Sequence, residues 1–165
     1  MSPCLAIRAD AGHALGSGHV QRCLALASAL RARGLTLRFL MRACPGHLLD
    51  EVRAAGHEVR ALPAALPDWL TDATVCLSAL EGCVGLIVDH YGLDARWQRA
   101  ITWASGLPVL LAIDDLADRV HAAPLLLDVN DFDAGAQRYA ELLPPDSRTL
   151  LGPQYALLRE EFARE

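Results

Sequence analysis

Residues Arg8-Ala9-Asp10-Ala11-Gly12-His13-Ala14-Leu15-Gly16-Ser17-Gly18-His19-Val20-Gln21-Arg22 decide how this chain is read. The apolar run Cys4-Leu5-Ala6-Ile7 before them predicts a buried strand. The Ala- and Leu-rich run after them predicts a helix. Between the two lies a glycine-punctuated loop that delivers His19 to the helix start. In an α/β protein such a corner is where phosphates or sugar phosphates meet backbone N–H groups. The same spacing also fits a plain, flexible strand–helix connection.

Working outward, apolar strand-like runs alternate with helical ones. Strands are predicted over 5–9, 35–41, 57–62, 85–89, 109–113 and 125–128, with a brief extended piece at 150–153. Helices are predicted over 18–33, 46–55, 68–80 with Asp68 as N-cap, and 94–104. A weak helix over 133–142 and a final one over 155–164 complete the set. Trp97 and Trp103 read as core and helix-packing residues. This alternation predicts one α/β domain over 1–165, a parallel sheet with helices on both faces. Polar clusters fall at the C-terminal ends of the first, fourth and fifth strands, the edge where open parallel sheets bind ligands.

The 165 residues are 53% hydrophobic with a formal charge of −5, enough for a substantial single core. An acidic balance disfavours nucleic acid as the main partner. All fifteen basic residues are arginine. The five cysteines form no CxxC pair, which disfavours a zinc ribbon or disulfide framework and predicts free thiols in a reducing compartment. No basic-then-apolar leader opens the chain, and no apolar run approaches about 18 residues. A cytoplasmic protein with no membrane partner is the expectation.

The loop spacing Gly12-x-x-x-Gly16-x-Gly18 is not that of a dinucleotide fingerprint. Gln21 stands where the last glycine belongs, and Arg42 where a ribose-binding acid belongs. No Gly-Lys-Ser/Thr occurs, so the P-loop is excluded. His19 lies in the first helical turn, where the helix dipole favours the neutral imidazole that a general base requires. A capping or packing histidine fits the same position. In Asp89-His90-Tyr91, Asp89 alone reads as a strand-end residue satisfying its own backbone. Asp114, Asp115, Asp118, Arg119 and His121 raise a metal site, but a solvated, salt-bridged loop accounts for them better.

Several blocks in order carry a resemblance. They are Arg8-x-Asp10; Gly16-x-Gly18-His19-Val20-x-Arg22-Cys23-Leu24-Ala25-Leu26-Ala27; and Val88-Asp89-His90-Tyr91-Gly92-Leu93-Asp94 with Trp97. Ile113-Asp114-Asp115-Leu116-Ala117-Asp118-Arg119 with His121 follows, then Leu126-Leu127-Asp128-x-Asn130 and Leu151-Gly152-Pro153-Gln154-Tyr155. Together they resemble the N-terminal half of the UDP-2,4-diacetamido-2,4,6-trideoxy-β-L-altropyranose hydrolases of pseudaminic acid biosynthesis. The resemblance implies a Rossmann-like domain, one of two facing a cleft in the GT-B architecture. It implies a UDP-sugar substrate whose anomeric C–O bond is cleaved by water with inversion. It assigns the general base to His19 and a place along the sugar site to Tyr91, with Gly16, Gly18, Arg22 and His90 in the matching blocks as further substrate-binding candidates. No cofactor and no metal are expected. It also implies a missing C-terminal nucleotide-binding domain, so the 165 residues are expected to fold but to hydrolyse poorly alone, with an apolar patch that favours self-association. A GT-B transferase half and a non-catalytic nucleotide-sugar binding module remain open beside the hydrolase.

Overall fold

The computed structural model describes residues 2–131 and 135–158. Seven strands form one sheet. They are β1 (Cys4–Ala9), β2 (Thr36–Arg42), β3 (Glu58–Leu62), β4 (Cys83–Asp89), β5 (Val109–Ile113), β6 (Leu125–Asp128) and β7 (Arg148–Leu151). Their order is β3-β2-β1-β4-β5-β6-β7, and every neighbouring pair is parallel. The chain first winds outward from β1 to β3 and then returns to the other side of β1. The switch therefore falls between β1 and β4, where the crevice of a doubly wound sheet opens.

The helices are α1 (Gly18–Arg31), α2 (Leu49–Ala54), α3 (Trp69–Ala79), α4 (Ala95–Ser105) and the single turn α5 (Gly135–Arg138). Alternation along β1 sets the layers. Leu5, Ile7 and Ala9 face Val20, Cys23 and Ala27 of α1 and Leu49 and Val52 of α2. Ala6 points the other way, into a core with Ala73 and Cys76 of α3 and Trp97 and Ile101 of α4. Asp68 caps α3 by accepting from the Thr71 N–H at 2.7 Å, and Asp94 caps α4 by accepting from the Arg96 N–H at 2.9 Å. An apolar groove of about 370 Å³, lined by Leu30, Leu110, Leu125, Leu150, Tyr155 and Leu157 among others, runs along the α1 side of the sheet.

The parallel sheet and both helical layers match the expectation. The departures have local causes. Gly46, at φ +81°, cannot begin a helix, so α2 starts at Leu49. The weak helix expected over 133–142 is only α5 among the described residues, and 132–134 lie outside them. The extended piece near 150 is β7, a full edge strand paired with β6. Pro153–Tyr155 is a 3-10 turn and 156–158 are not helical. A helix therefore does not start at Tyr155, and 159–165 lie outside the described residues. Trp97 is buried as expected, but Trp103 is 89% exposed, because it lies on the outer face of α4.

Candidate functional site

The corner after β1 closes on itself. Gly16 N–H donates to Gly12 O at 2.8 Å and Gly12 N–H to Gly16 O at 3.1 Å, a small antiparallel bridge. Gly16 holds φ +75°, which an L side chain rarely adopts. That turn sets Ser17 at the start of α1, where no side chain caps the helix. His19 follows within the first turn, against the C-terminal ends of β1 and β4.

Asp89, the last residue of β4, meets it there. Its Oδ1 lies 2.6 Å from His19 Nδ1. Arg22, one turn along α1 from His19, grips the same carboxylate with two donors, Nε to Oδ2 and Nη2 to Oδ1, each at 2.5 Å. Its third donor, Nη1, reaches Asp115 Oδ2 at 3.1 Å. Nδ1 must carry a proton to bond a carboxylate at that distance, so the neutral ring has its free acceptor at Nε2. The 3.1 Å approach of Arg22 Nη2 to His19 Nδ1 then sets two donors side by side on one oxygen. Burial alone would raise the Asp89 carboxyl. The bonds from Arg22 and His19 outweigh it and hold the group below the ordinary carboxylate range. Cys23, whose Sγ donates to Asp89 Oδ2 at 3.6 Å, is pushed well up by burial and by the Asp89 charge and stays a thiol.

Tyr91 stands over the pair. Its ring meets the His19 ring edge-on, with centroids 4.4 Å apart at 78°, and its hydroxyl donates to Asp115 Oδ2 at 3.0 Å. Burial and the Asp115 bond raise the phenol, which keeps it a donor. The Arg119 guanidinium carbon lies 5.7 Å from the Tyr91 ring centroid on another side. Tyr91 is 44% exposed.

No protein-family model matches the chain. Over 158 residues it is 30% identical to the UDP-2,4-diacetamido-2,4,6-trideoxy-β-L-altropyranose hydrolase of Campylobacter jejuni, a match that covers 96% of this chain. This chain is a relative of that hydrolase. It spans about half of it, 53% of its length. Among solved structures it superposes on MurG of Acinetobacter baumannii with a TM-score of 0.58 at 12% identity, covering 91% of this chain and 45% of that one. A glycosyltransferase from Rickettsia africae gives 0.60 at 11% identity, covering 91% and 42%. At such identities the likeness shows the fold, the Rossmann-like sheet that forms one half of a GT-B chain.

Of the residues singled out in the sequence, the structure brings His19, Arg22 and Tyr91 together, with Gly18 opening the same helix. No atom outside its chain neighbours and helix backbone lies within 4 Å of a Cβ placed on Gly18, so that approach is open. Two of the expected residues are already engaged within the chain. The Gly16 N–H is taken by Gly12 O. His90 is turned inward. Its Nδ1 accepts from the Gly92 N–H at 3.0 Å, and its Nε2, buried, faces Asp10 Oδ2 at 3.2 Å. Burial holds its imidazole low, so it braces the loop as a neutral ring.

The reading of Asp89 as a self-satisfied loop residue is also corrected, since its carboxylate orients His19. Asp115, read in the sequence only as part of a solvated, salt-bridged loop, is the second residue whose part in the site was missed. The signal for both was their place at the ends of β4 and just beyond β5, but their partners lie 70 and 93 residues away along the chain. The Asp114 group is salt-bridged as expected. Asp114 and His121 are buried rather than solvated, with Asp114 at 2.8 Å from Arg119 and 3.4 Å from His121, while Asp118 is exposed. Asn130 closes a turn, donating through N–H and Nδ2 to Asp128 Oδ1. Among the described residues no cluster of three or more His, Cys, Asp or Glu side chains is placed to hold a metal, and no helix is long and apolar enough to cross a membrane.

Proposed function

We propose that this chain is the water-activating, sugar-binding half of a nucleotide-sugar hydrolase. In this reading it releases UDP from UDP-2,4-diacetamido-2,4,6-trideoxy-β-L-altropyranose, a cytoplasmic step in pseudaminic acid biosynthesis. The observation that carries the reading is the 2.6 Å bond between His19 Nδ1 and Asp89, which leaves Nε2 as an acceptor at the switch-point crevice. A water there gives its proton to Nε2 and attacks the anomeric carbon from the face opposite the leaving group, so configuration inverts. The C–O bond breaks toward the diphosphate, and UDP leaves carrying the electron pair. Asp89, held ionised by Arg22, stabilises the imidazolium formed on the way. UDP is a good leaving group, so no strong general acid is needed. Tyr91 lines the sugar side, and Gly18 opens the approach to the first turn of α1. Most contacts to UDP are assigned to a C-terminal nucleotide-binding domain beyond this chain, and self-association through the apolar groove belongs to the same reading.

The test is UDP release from that substrate by the full-length protein, wild type against His19→Ala. Turnover is expected to fall by about a hundredfold or more with the fold intact. Unchanged turnover would remove His19 from the chemistry. No release even by the wild type would favour a transferase half or a non-catalytic binding module.

A further inference from the structure

Three of the five cysteines face oxygen acceptors within 3.6 Å: Cys23 toward Asp89 Oδ2, Cys44 toward Ala11 O at 3.2 Å, and Cys76 toward Asp72 Oδ1 at 3.4 Å. The other two face each other. Cys4 Sγ and Cys83 Sγ are 3.5 Å apart across 79 residues of sequence. A slip in the β1–β4 ladder produces this. Leu5 pairs with Gly85, yet Cys4 pairs with Cys83, so Val84 is the extra residue of a bulge. In unbroken register Cys4 would face Val84. Directly paired parallel strands lie about 4.8 Å apart, within the separation of about 4.4–6.8 Å that a disulfide spans between Cα atoms.

We propose that Cys4 and Cys83 are a dithiol modification site, which a hydroperoxide oxidises to an intramolecular disulfide. The site lies at the N-terminal rim of the sheet, at the opposite end of β1 and β4 from His19, and does not rest on the hydrolase reading. Cys4 is the half-buried member and the one a small oxidant reaches first. Its thiolate attacks the peroxide oxygen, giving a Cys4 sulfenic acid and an alcohol, or water if the oxidant is hydrogen peroxide. Cys83 Sγ then attacks the Cys4 sulfur. The S–S bond forms, the S–O bond breaks, and the departing hydroxide takes the Cys83 proton as water. Two thiols and one peroxide give one disulfide, one alcohol and one water.

The surroundings of Cys83 fit the resolving role. Burial and its bond to Cys4 push its thiol up to about 12, so it acts second, as a thiol losing its proton during the displacement. The guanidinium of Arg38 lies beside it, with Nη1 3.5 Å from Cys83 Sγ. That charge is anchored by Glu58 at 2.7 Å and by the carbonyls of Ala79 and Glu81, and it favours the sulfur as it gives up its proton. A bridge here ties the start of β1 to the start of β4 and constrains the unfolded chain over a long loop.

The experiment treats this chain with a small excess of hydrogen peroxide and follows intact mass and non-reducing peptide maps. The expected result is a loss of two hydrogens, a peptide pair linking Cys4 to Cys83, a raised melting temperature, and reversal of all three by a dithiol reductant. In Cys83→Ser the Cys4 sulfenic acid should persist and be trapped by dimedone, whereas Cys4→Ser should show neither product. A wild-type chain that stays fully reduced, or that links other cysteines or separate chains, overturns the proposal. The wild-type peptide map decides this even where a variant folds poorly.

Discussion

Two clusters of arginine and aspartate lie at the top of the sheet, and they differ in what they leave free. In the first, Arg8 is wholly buried in β1. It bonds Asp10 at 2.6 and 2.9 Å, Asp72 of α3 at 2.6 and 3.2 Å, and the Leu40 carbonyl. Asp10 also takes Arg42 through its N–H and Nε, and Asp72 takes Trp97 Nε1 at 2.9 Å. In the second, Arg22 holds Asp89 and Asp115, its side chain is 18% exposed, and His19 keeps one ring nitrogen unused. The same ion pairs make a brace where both carboxylates are saturated and a candidate site where one acceptor is left over. Chemistry needs the unsaturated member, while the saturated cluster fixes the strand ends that present it.

The sharpest way to break this contrast is Arg8→Met. It leaves Asp10 and Asp72 buried without their shared cation, a change expected to cost about 3–5 kcal/mol. An unfolding free energy from denaturant melts that falls by less than a quarter of that would mean the first cluster is not a brace. Asp89→Asn should act on the other side of the comparison. An amide turned to His19 with its NH2 would force the proton from Nδ1 to Nε2 and remove the acceptor, so turnover of the full-length protein should drop at least about tenfold. Stability should fall less than for Arg8→Met, by about 1–2 kcal/mol, because Arg22 keeps Asp115 and some water. Equal stability losses in the two variants would erase the distinction.

Acid gives a further test of the first cluster. Burial would raise the Asp10 carboxyl, but His90, Arg8 and the Arg42 N–H hold it well below the usual carboxylate range. The His121 bond and the Arg119 charge do the same for Asp114. Carboxyls lowered in the folded state contribute stability that is fully present above their unfolded values, about pH 4, and is lost as pH falls through the folded ones. Unfolding midpoints should therefore show no loss from these groups between about pH 7 and 5 and a decline below about pH 4. In Arg8→Met that acid decline should be shallower, since Asp10 has lost part of what held it down. An unchanged decline would assign it to other carboxylates.

Much of the architecture was legible because it follows local pattern. Val109–Ile113 and Leu125–Asp128 stand where apolar runs predicted them, and Asp68 caps the helix it precedes. The corner at His19 was legible from glycine spacing and its place between a strand and a helix. What escaped the sequence is pairing at a distance. Nothing near Asp89 announces a histidine 70 residues earlier, and nothing in Leu5-Ala6-Ile7-Arg8-Ala9 announces that its arginine is buried against α3. Edge features escaped for a related reason. Whether 148–151 forms a strand depends on β6 being there to pair with it.

Trp103 gives the smallest expected effect and the cleanest control. Both tryptophans of α4 stand in the same short helix, but Trp97 is buried and donates to Asp72 within the brace, whereas Trp103 is exposed on the far face. Trp97 therefore belongs to the bracing network, and Trp103 contributes little area removed from water. Trp103→Ser should change stability by no more than about 0.5 kcal/mol and leave turnover of the full-length protein unchanged. A larger loss of stability in this chain would show that Trp103 is covered in solution, by a second copy or by its own chain. Dilution separates those two cases, because only the first makes the melting temperature fall with protein concentration.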